Sequence, residues 1–179
     1  MKATGIVRRI DDLGRVVIPK EIRRTMRIRE GDPLEIFTDR DGGVIFKKYS
    51  PIGELSGFAA HITESLSKAA DSIAAVCDRD SIIAIAGGGK RELMDGRVSP
   101  ELEQLMDSRA AFTCEAGLLP VTANDERFRI VAAQPVISDG DVLGCIMFVA
   151  PRDESVQHLE TKLKLVQTVA GFIGKQMES

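Results

Sequence analysis

Short stretches of β-branched and other apolar residues, separated by turns, make up the first 50 residues. Pro19 suits the first position of a short helix, which we predict over residues 20–26. Residues 11–14 form a predicted turn, and Asp41-Gly42-Gly43 supplies the glycines that a hairpin turn needs. The pattern around these turns predicts four strands, over residues 4–10, 15–18, 34–38 and 44–49.

Two heptad-like seams bracket the rest of the chain. Their apolar residues alternate four and three apart, a period of 3.5 that favours helices packed in a bundle. The first seam is Leu55, Ala59, Ile62, Leu66, Ala69, Ile73 and Val76; the second is Val156, Leu159, Leu163, Val166, Ala170, Ile173 and Met177. Two copies of the chain would pair these helices into a four-helix bundle, whereas the alternative is that both seams pack on their own sheet. The predicted oligomerisation residues are Leu55, Ile62, Leu66, Ile73, Leu159, Leu163, Val166 and Ile173.

Strand-like segments lie between the two predicted helices. The turn Ser138-Asp139-Gly140-Asp141 joins the last two as a hairpin, and Ser99 with Pro100 opens a short helix. The predicted strands are residues 81–86, 112–114, 127–136 and 142–149. The fold class is therefore α+β in two domains, the second an α/β sheet flanked by long terminal helices.

A change of charge coincides with a Pro/Gly break at residues 49–53. Residues 1–50 hold twelve Lys and Arg against eight Asp and Glu, whereas residues 51–179 hold twelve against nineteen. We predict domains at 1–50 and 56–179 with a linker at 51–55. A basic module joined to an acidic one suggests that the first domain binds a polyanion.

The first domain is too small to be stable alone, because fifty residues bury little apolar surface. Its sequence offers no disulfide or metal site to compensate. We therefore predict an obligate dimer whose core is shared between two chains.

Duplex DNA is the polyanion that fits this module best. Single-stranded nucleic acids and most RNAs are bound by stacking on aromatic side chains, and the basic segment has none before Phe37. The helix at 20–26 is too short to bind a membrane surface. The alternative is that the arginines are merely a solvated face paired with Asp11, Asp12 and Glu21.

Residues 4–9, 13–24 and 31–37 closely resemble the AbrB-type swapped-hairpin DNA-binding family. The resemblance implies an interdigitated β-barrel dimer that grips double-stranded DNA. One departure from the family lies after the helix, where Met26-Arg27-Ile28 lacks the family's usual glycine. The residue at which the helix ends is therefore not fixed by the sequence. The resemblance implies DNA contacts by Arg8, Arg9, Arg15, Arg23 and Arg24, to which we add Lys2 and Lys20.

The second domain resembles the GAF family, and the two-part arrangement resembles sporulation transcription regulators that activate some promoters and repress others. This resemblance implies a small-molecule sensor that also oligomerises, giving a tetramer. Neither the cyclic-nucleotide signature nor a cysteine placed for bilin attachment is present, so the ligand and its binding residues are unknown. Residues 86–91 lack the spacer of a phosphate-binding loop. An antitoxin-like autoregulator is the alternative function.

No catalytic, metal or cofactor site is expected. His61 and His158 are far from any cysteine pair, and the odd, widely spaced cysteines fit a reducing cytosol. Cys114 and Cys145 could form the redox pair of a GAF-type reductase, although apolar surroundings favour inert thiols. With no leader or transmembrane run, we expect a cytoplasmic, nucleoid-associated protein with no membrane partner.

Overall fold

The computed structural model describes residues 5–54 and 56–178. The chain forms two compact units, Met1–Tyr49 and Ser50–Ser179, each containing both helix and sheet. The two-domain α+β class is therefore confirmed. Of the segment predicted as a linker, residues 51–54 form a helical turn whose Ile52 is buried in the second unit.

Within residues 5–49 the first unit contains one helix and one hairpin. Helix α1 is Lys20–Met26, and strands β1, Leu34–Thr38, and β2, Val44–Lys48, pair antiparallel with Thr38 opposite Val44. The carboxylate of Asp39 accepts hydrogen bonds from the backbone N–H groups of Asp41 and Gly43, at 3.0 and 2.6 Å. Because this side chain organises the turn, the hairpin forms where the glycines predict it.

The strands predicted at 4–10 and 15–18 do not form in the single chain. Residues 5–18 pair with no strand of the described chain, and residue 4 lies outside the described residues. Most of their apolar side chains stay exposed, from 39% for Ile6 to 84% for Val7, and Ile18 is half-buried. A β-strand requires a neighbouring strand, and no strand of the described chain pairs with the segment.

The second unit is built on a six-stranded antiparallel sheet. Its order is β4-β3-β8-β7-β5, with β6 also pairing with β7. The strands are β3 Ile73–Asp78, β4 Ile82–Ala86, β5 Phe112–Thr113, β6 Pro120–Thr122, β7 Asp125–Ser138 and β8 Asp141–Pro151. The helices are α2 Pro51–Glu54, α3 Ser56–Ala70, α4 Lys90–Leu93, α5 Pro100–Ser108 and α6 Leu159–Gln176, with a 3₁₀ turn at Cys114–Ala116.

Each face of this sheet carries its own apolar core. On one face, side chains of α4 and α5 such as Leu93 and Met106 pack with Met147 of β8. On the other, α2, α3 and α6 cover Phe148 and its neighbours. Helix α5 begins as predicted, since the Ser99 hydroxyl accepts from the backbone N–H of Leu102 at 3.0 Å and donates to the Pro120 carbonyl at 2.8 Å.

The first predicted seam is wrong in its last part. Helix α3 ends at Ala70, Asp71 takes a positive φ of 45°, and Ile73 and Val76 lie in strand β3 instead of a helix. Strand β3 pairs on both sides, with β4 and with β8, and that pairing outweighs the heptad spacing.

Most of the remaining seam residues pack within the chain itself. Leu66, Val166 and Ile173 are at most 4% exposed in the core under α3 and α6. Ile62, Leu159 and Leu163 are partly buried against the same core. Leu55 lies outside the described residues. The alternative in which the seams cover their own sheet accounts for these positions.

Two glycines of α6 give a matched test of this packing. A methyl group at Gly174 would run into the carbonyl oxygen of Ile137 in β7, whereas one at Gly171 would meet nothing within 4 Å. We expect Gly174→Ala to lower the free energy of unfolding by about 2 kcal/mol because it overpacks the helix against the sheet. Gly171→Ala should raise it by roughly 0.5–1 kcal/mol through helix propensity alone. Urea unfolding of both variants measures the difference, and equal shifts would contradict the close approach of α6.

Candidate nucleic-acid interface

A turn at residues 11–14 organises the first part of the basic segment. The backbone N–H of Gly14 donates to the Asp11 carbonyl, and that of Asp11 donates to the Arg15 carbonyl, both at 3.0 Å. Gly14 takes a φ of +75°, which a residue with a side chain rarely adopts. The chain therefore reverses here, with Arg8 and Arg9 before the turn and Arg15 directly after it.

Asp11 ties this turn to Arg15. Its carboxylate accepts from the backbone N–H groups of Leu13 and Arg15, at 3.0 and 2.8 Å, and from Nε of Arg15 at 2.8 Å. The backbone N–H of Arg15, followed by its guanidinium, lowers the pKa of Asp11 below its ordinary value. The Arg15 side chain remains 69% exposed, so solvent screens the ion pair and its main effect is on position.

Helix α1 presents the second basic group. Lys20 is its first residue, and Arg23 and Arg24 occupy its last turn, where positive charge is favourable at the negative end of the helix. Among the residues that the structure describes, none of Arg8, Arg9, Lys20, Arg23 and Arg24 forms an ion pair, and all are exposed.

Pairing with local carboxylates was the alternative to a binding role for these cations. In the described chain it holds only for Arg15 with Asp11. Lys2 lies outside the described residues. The structure therefore leaves most of the basic group available to an external anion.

The end of α1 is closed by an arginine in the conformation usually taken by glycine. Arg27 has φ 53° and ψ 42°, its N–H donates to the Arg24 carbonyl at 3.4 Å, and the N–H of Ile28 donates to the Arg23 carbonyl at 2.8 Å. This is a Schellman motif without its glycine. The Lys48 ammonium, from β2, donates to the Arg27 carbonyl at 3.0 Å and lies 3.6 Å from the Asp32 carboxylate.

Sequence reasoning missed this role of Lys48. The lysine is 21 residues away from Arg27, and no local pattern connects the two positions.

Arg27→Gly should stabilise the first unit. A residue with a side chain is strained in the left-handed region by roughly 1–2 kcal/mol, and the greater freedom of glycine in the unfolded chain offsets part of the relief. We expect a gain of about 0.5–1 kcal/mol, measured by urea unfolding at fixed protein concentration. Arg27→Ala is the control, because it removes the same charge and keeps the strain. A gain of the same size in both variants would refute this explanation.

The cysteine geometry does not support the redox pair considered from the sequence. Cys145 lies in the core on the α4–α5 face, whereas Cys114 packs against the core on the other face. Cys145 instead stands opposite Cys77 on the neighbouring strand. Both of these thiols are fully buried, and burial raises their pKa values well above the ordinary range. Thiolate, the reactive form, is thereby suppressed.

Comparison with known proteins settles the family. The family described as "Stage V sporulation protein T C-terminal, transcription factor" matches residues 54–178. Stage V sporulation protein T of Bacillus subtilis (strain 168) is 47% identical over 180 residues, which cover 99% of each chain. The chain belongs to the stage V sporulation protein T family. The predicted sporulation transcription regulator is thereby confirmed.

Other matches cover one unit each. The family described as "Antidote-toxin recognition MazE, bacterial antitoxin" matches residues 7–54. The transition state regulatory protein AbrB of B. subtilis is 63% identical over 51 residues, 28% of this chain and 52% of that protein. The cofactor-binding GAF domain of the nutrient sensor CodY from Clostridium difficile is 12% identical, with a TM-score of 0.46 over 66% of this chain and 83% of that one. The antitoxin match is confined to the N-terminal part, whereas the sporulation relative matches the chain throughout.

Within residues 5–54 and 56–178, no group of three or more His, Cys, Asp or Glu side chains is arranged to hold a metal ion. No helix in the same part of the chain is long and apolar enough to cross a membrane.

Proposed function

We propose that the chain acts as a homodimer through residues 1–50, binds duplex DNA with a doubled set of basic side chains, and activates some sporulation promoters while repressing others. One observation carries the proposal. The unit that bears the exposed, unneutralised cations also bears exposed apolar side chains that a second copy would cover.

The apolar surface argues for the dimer. Val7, Ile10, Leu13 and Val17 are each at least 69% exposed. Leu13 lies in the turn, and the other three lie in segments with the composition of strands that pair with no strand of the described chain. A small domain leaves such residues in water only at a large cost, because each buried aliphatic side chain contributes about 1.5–3 kcal/mol. Pairing the same segments of two chains would provide both the missing strand neighbours and the missing cover.

The charge argues for DNA. Arginine and lysine bind phosphate oxygens, and arginine also reads guanine edges with two hydrogen bonds. A two-fold axis would place the turn and the α1 group of one chain against those of the other. That symmetry matches the approximate two-fold symmetry of duplex DNA and of palindromic sites.

A second contact between dimers would use the helices of the second unit. Phe58 of α3 is 39% exposed and Phe172 of α6 is 53% exposed, and both stand on helices that cover the same face of the sheet. These two rings, instead of the buried seam residues, are the surface we propose for a tetramer. A tetramer would hold two DNA-binding dimers and gain affinity by avidity. The same unit would sense a small molecule.

Arginine substitutions test DNA binding. Arg23→Ala should weaken duplex binding more than tenfold, because it removes one phosphate or base contact in each of the two chains of the dimer. The slope of log affinity against log salt should fall by about 2 for the same reason. Fluorescence anisotropy with a labelled promoter duplex measures both quantities, and light scattering checks that the oligomer is unchanged.

Arg91→Ala, an exposed arginine of α4, is the matched control because it removes the same charge from the second unit. Equal affinity for the wild type and Arg23→Ala would refute the interface. A loss as large in Arg91→Ala would show a response to net charge alone.

Substitution of Asp11 tests whether its charge or its hydrogen bonds dominate, because the two predict opposite changes in DNA affinity. Removing a negative charge near the DNA should tighten binding if charge alone matters. We expect Asp11→Ala instead to weaken binding by roughly threefold to tenfold, since three hydrogen bonds that position the turn and Arg15 are lost. Asp12→Ala removes the same charge next to it and should bind as tightly as the wild type or tighter. Tighter binding by Asp11→Ala in the same anisotropy titration would contradict a positioning role.

A further inference from the structure

The second unit contains a cavity of about 590 Å³ at one edge of its sheet. It lies between the end of α3, the ends of β3 and β8, and the segment of residues 154–158 that leads into α6. Its volume is within the range of small-molecule sites, roughly 300–1,000 Å³. Three sheet residues, Ile73, Val131 and Val149, form part of its wall.

Lys162 is the unusual residue of this wall. Only 6% of it is exposed, and its ammonium donates one hydrogen bond, to the Gln157 carbonyl at 2.7 Å. It forms no ion pair with any residue that the structure describes. An ammonium has three donors, and a cation withdrawn from water without a counter-ion is unfavourable. The Lys162 ammonium therefore has donors left for an anionic partner.

The start of α6 adds to the same positive potential. The helix is 18 residues long, and His158 before it takes a φ of 55° and provides no side-chain cap. The first N–H groups of such a helix are unsatisfied by the helix itself and favour an anion. His158 lines the cavity together with Lys162.

Carboxylates that also line the cavity limit how much negative charge the anion can carry. Asp71 and Glu154 also line it, so its side chains carry one buried positive charge and two negative ones. A phosphate ester or other dianion would be repelled by these carboxylates, whereas a single carboxylate at Lys162 would be balanced. The hydroxyl of Ser67 supplies a neutral partner for a further polar group.

We propose that this cavity binds a small organic monocarboxylate, with the carboxylate held by the Lys162 ammonium near the positive start of α6 and the apolar remainder against the sheet. The inference deepens the ligand-sensing part of the proposed function and rests on it. It requires nothing of the DNA-binding residues.

A single tryptophan can report on the site, because the chain has none. Ser155→Trp places an indole at the cavity wall, and Ser108→Trp on α5 places one away from it. Hexanoate is the probe, with hexanamide as its uncharged match and inorganic phosphate as the dianion. We expect saturable fluorescence changes with hexanoate for Ser155→Trp only, and at least tenfold weaker responses to hexanamide and phosphate.

Lys162→Met in the Ser155→Trp chain should weaken hexanoate binding tenfold or more, because it keeps the aliphatic stem and removes the ammonium. Lys164→Met, an exposed lysine of the same helix, should leave it unchanged. Equal binding of hexanoate and hexanamide, equal affinity in both lysine variants, or tighter binding of phosphate would overturn the proposal.

The wild-type chain gives a measurement that needs no variant to fold. Hexanoate, and not hexanamide, should raise its unfolding temperature; no shift with either would also overturn the carboxylate site. Duplex titration of the same preparation separates the two proposals. DNA binding without carboxylate binding refutes this inference alone, whereas carboxylate binding without DNA binding refutes the proposed function.

Discussion

Covering apolar surface is the constraint on which both units depend, and the two units meet it differently. The second unit covers both faces of its sheet from its own chain, with α4 and α5 on one side and α2, α3 and α6 on the other. The first unit has one short helix and one hairpin and leaves Val7 and Leu13 in solvent. In the proposed dimer, two chains together would therefore position the basic side chains of this unit.

In the second unit, neighbouring backbone segments pack very closely against the sheet. Backbone comes so close at Gly144 and Gly174 that a single methyl group would collide, with Cys77 at the first and Ile137 at the second. Such contacts fix α6 and β3 against the central hairpin of β7 and β8. The cavity opens only at the edge, where α3 ends and α6 begins. A molecule bound there would act on the ends of two helices instead of on the packed centre.

Local chemistry explains which elements could be predicted from the sequence. Pro19, the glycines after Asp41, and Ser99 with Pro100 each act on their immediate neighbours, and α1, the hairpin and α5 begin where these residues predict. Strand β3 was missed because Ile73 and Val76 fit a heptad and its alanines have little strand propensity. Short elements such as α4 and β6 carry no periodic signal and depend on the sheet that they contact.

The site residues divide in the same way. The arginines could be named from charge and resemblance, whereas the Lys48 contact with Arg27 depends on tertiary structure. Lys162 left a trace in the sequence, since it lies four residues before Val166 on the buried stripe of α6. A charged residue in such a stripe needs a partner, but only the structure shows that the available partner is a single carbonyl.

The facing pair Cys77 and Cys145 has a practical consequence. Both thiols are fully buried in the core between the sheet and helices α4 and α5, so a labelling reagent can reach them only when that core opens. Their modification rate therefore reports the free energy of opening this core in the native protein. Cys114 is partly exposed and reports ordinary access in the same experiment. The three native cysteines therefore allow this opening to be measured without any substitution.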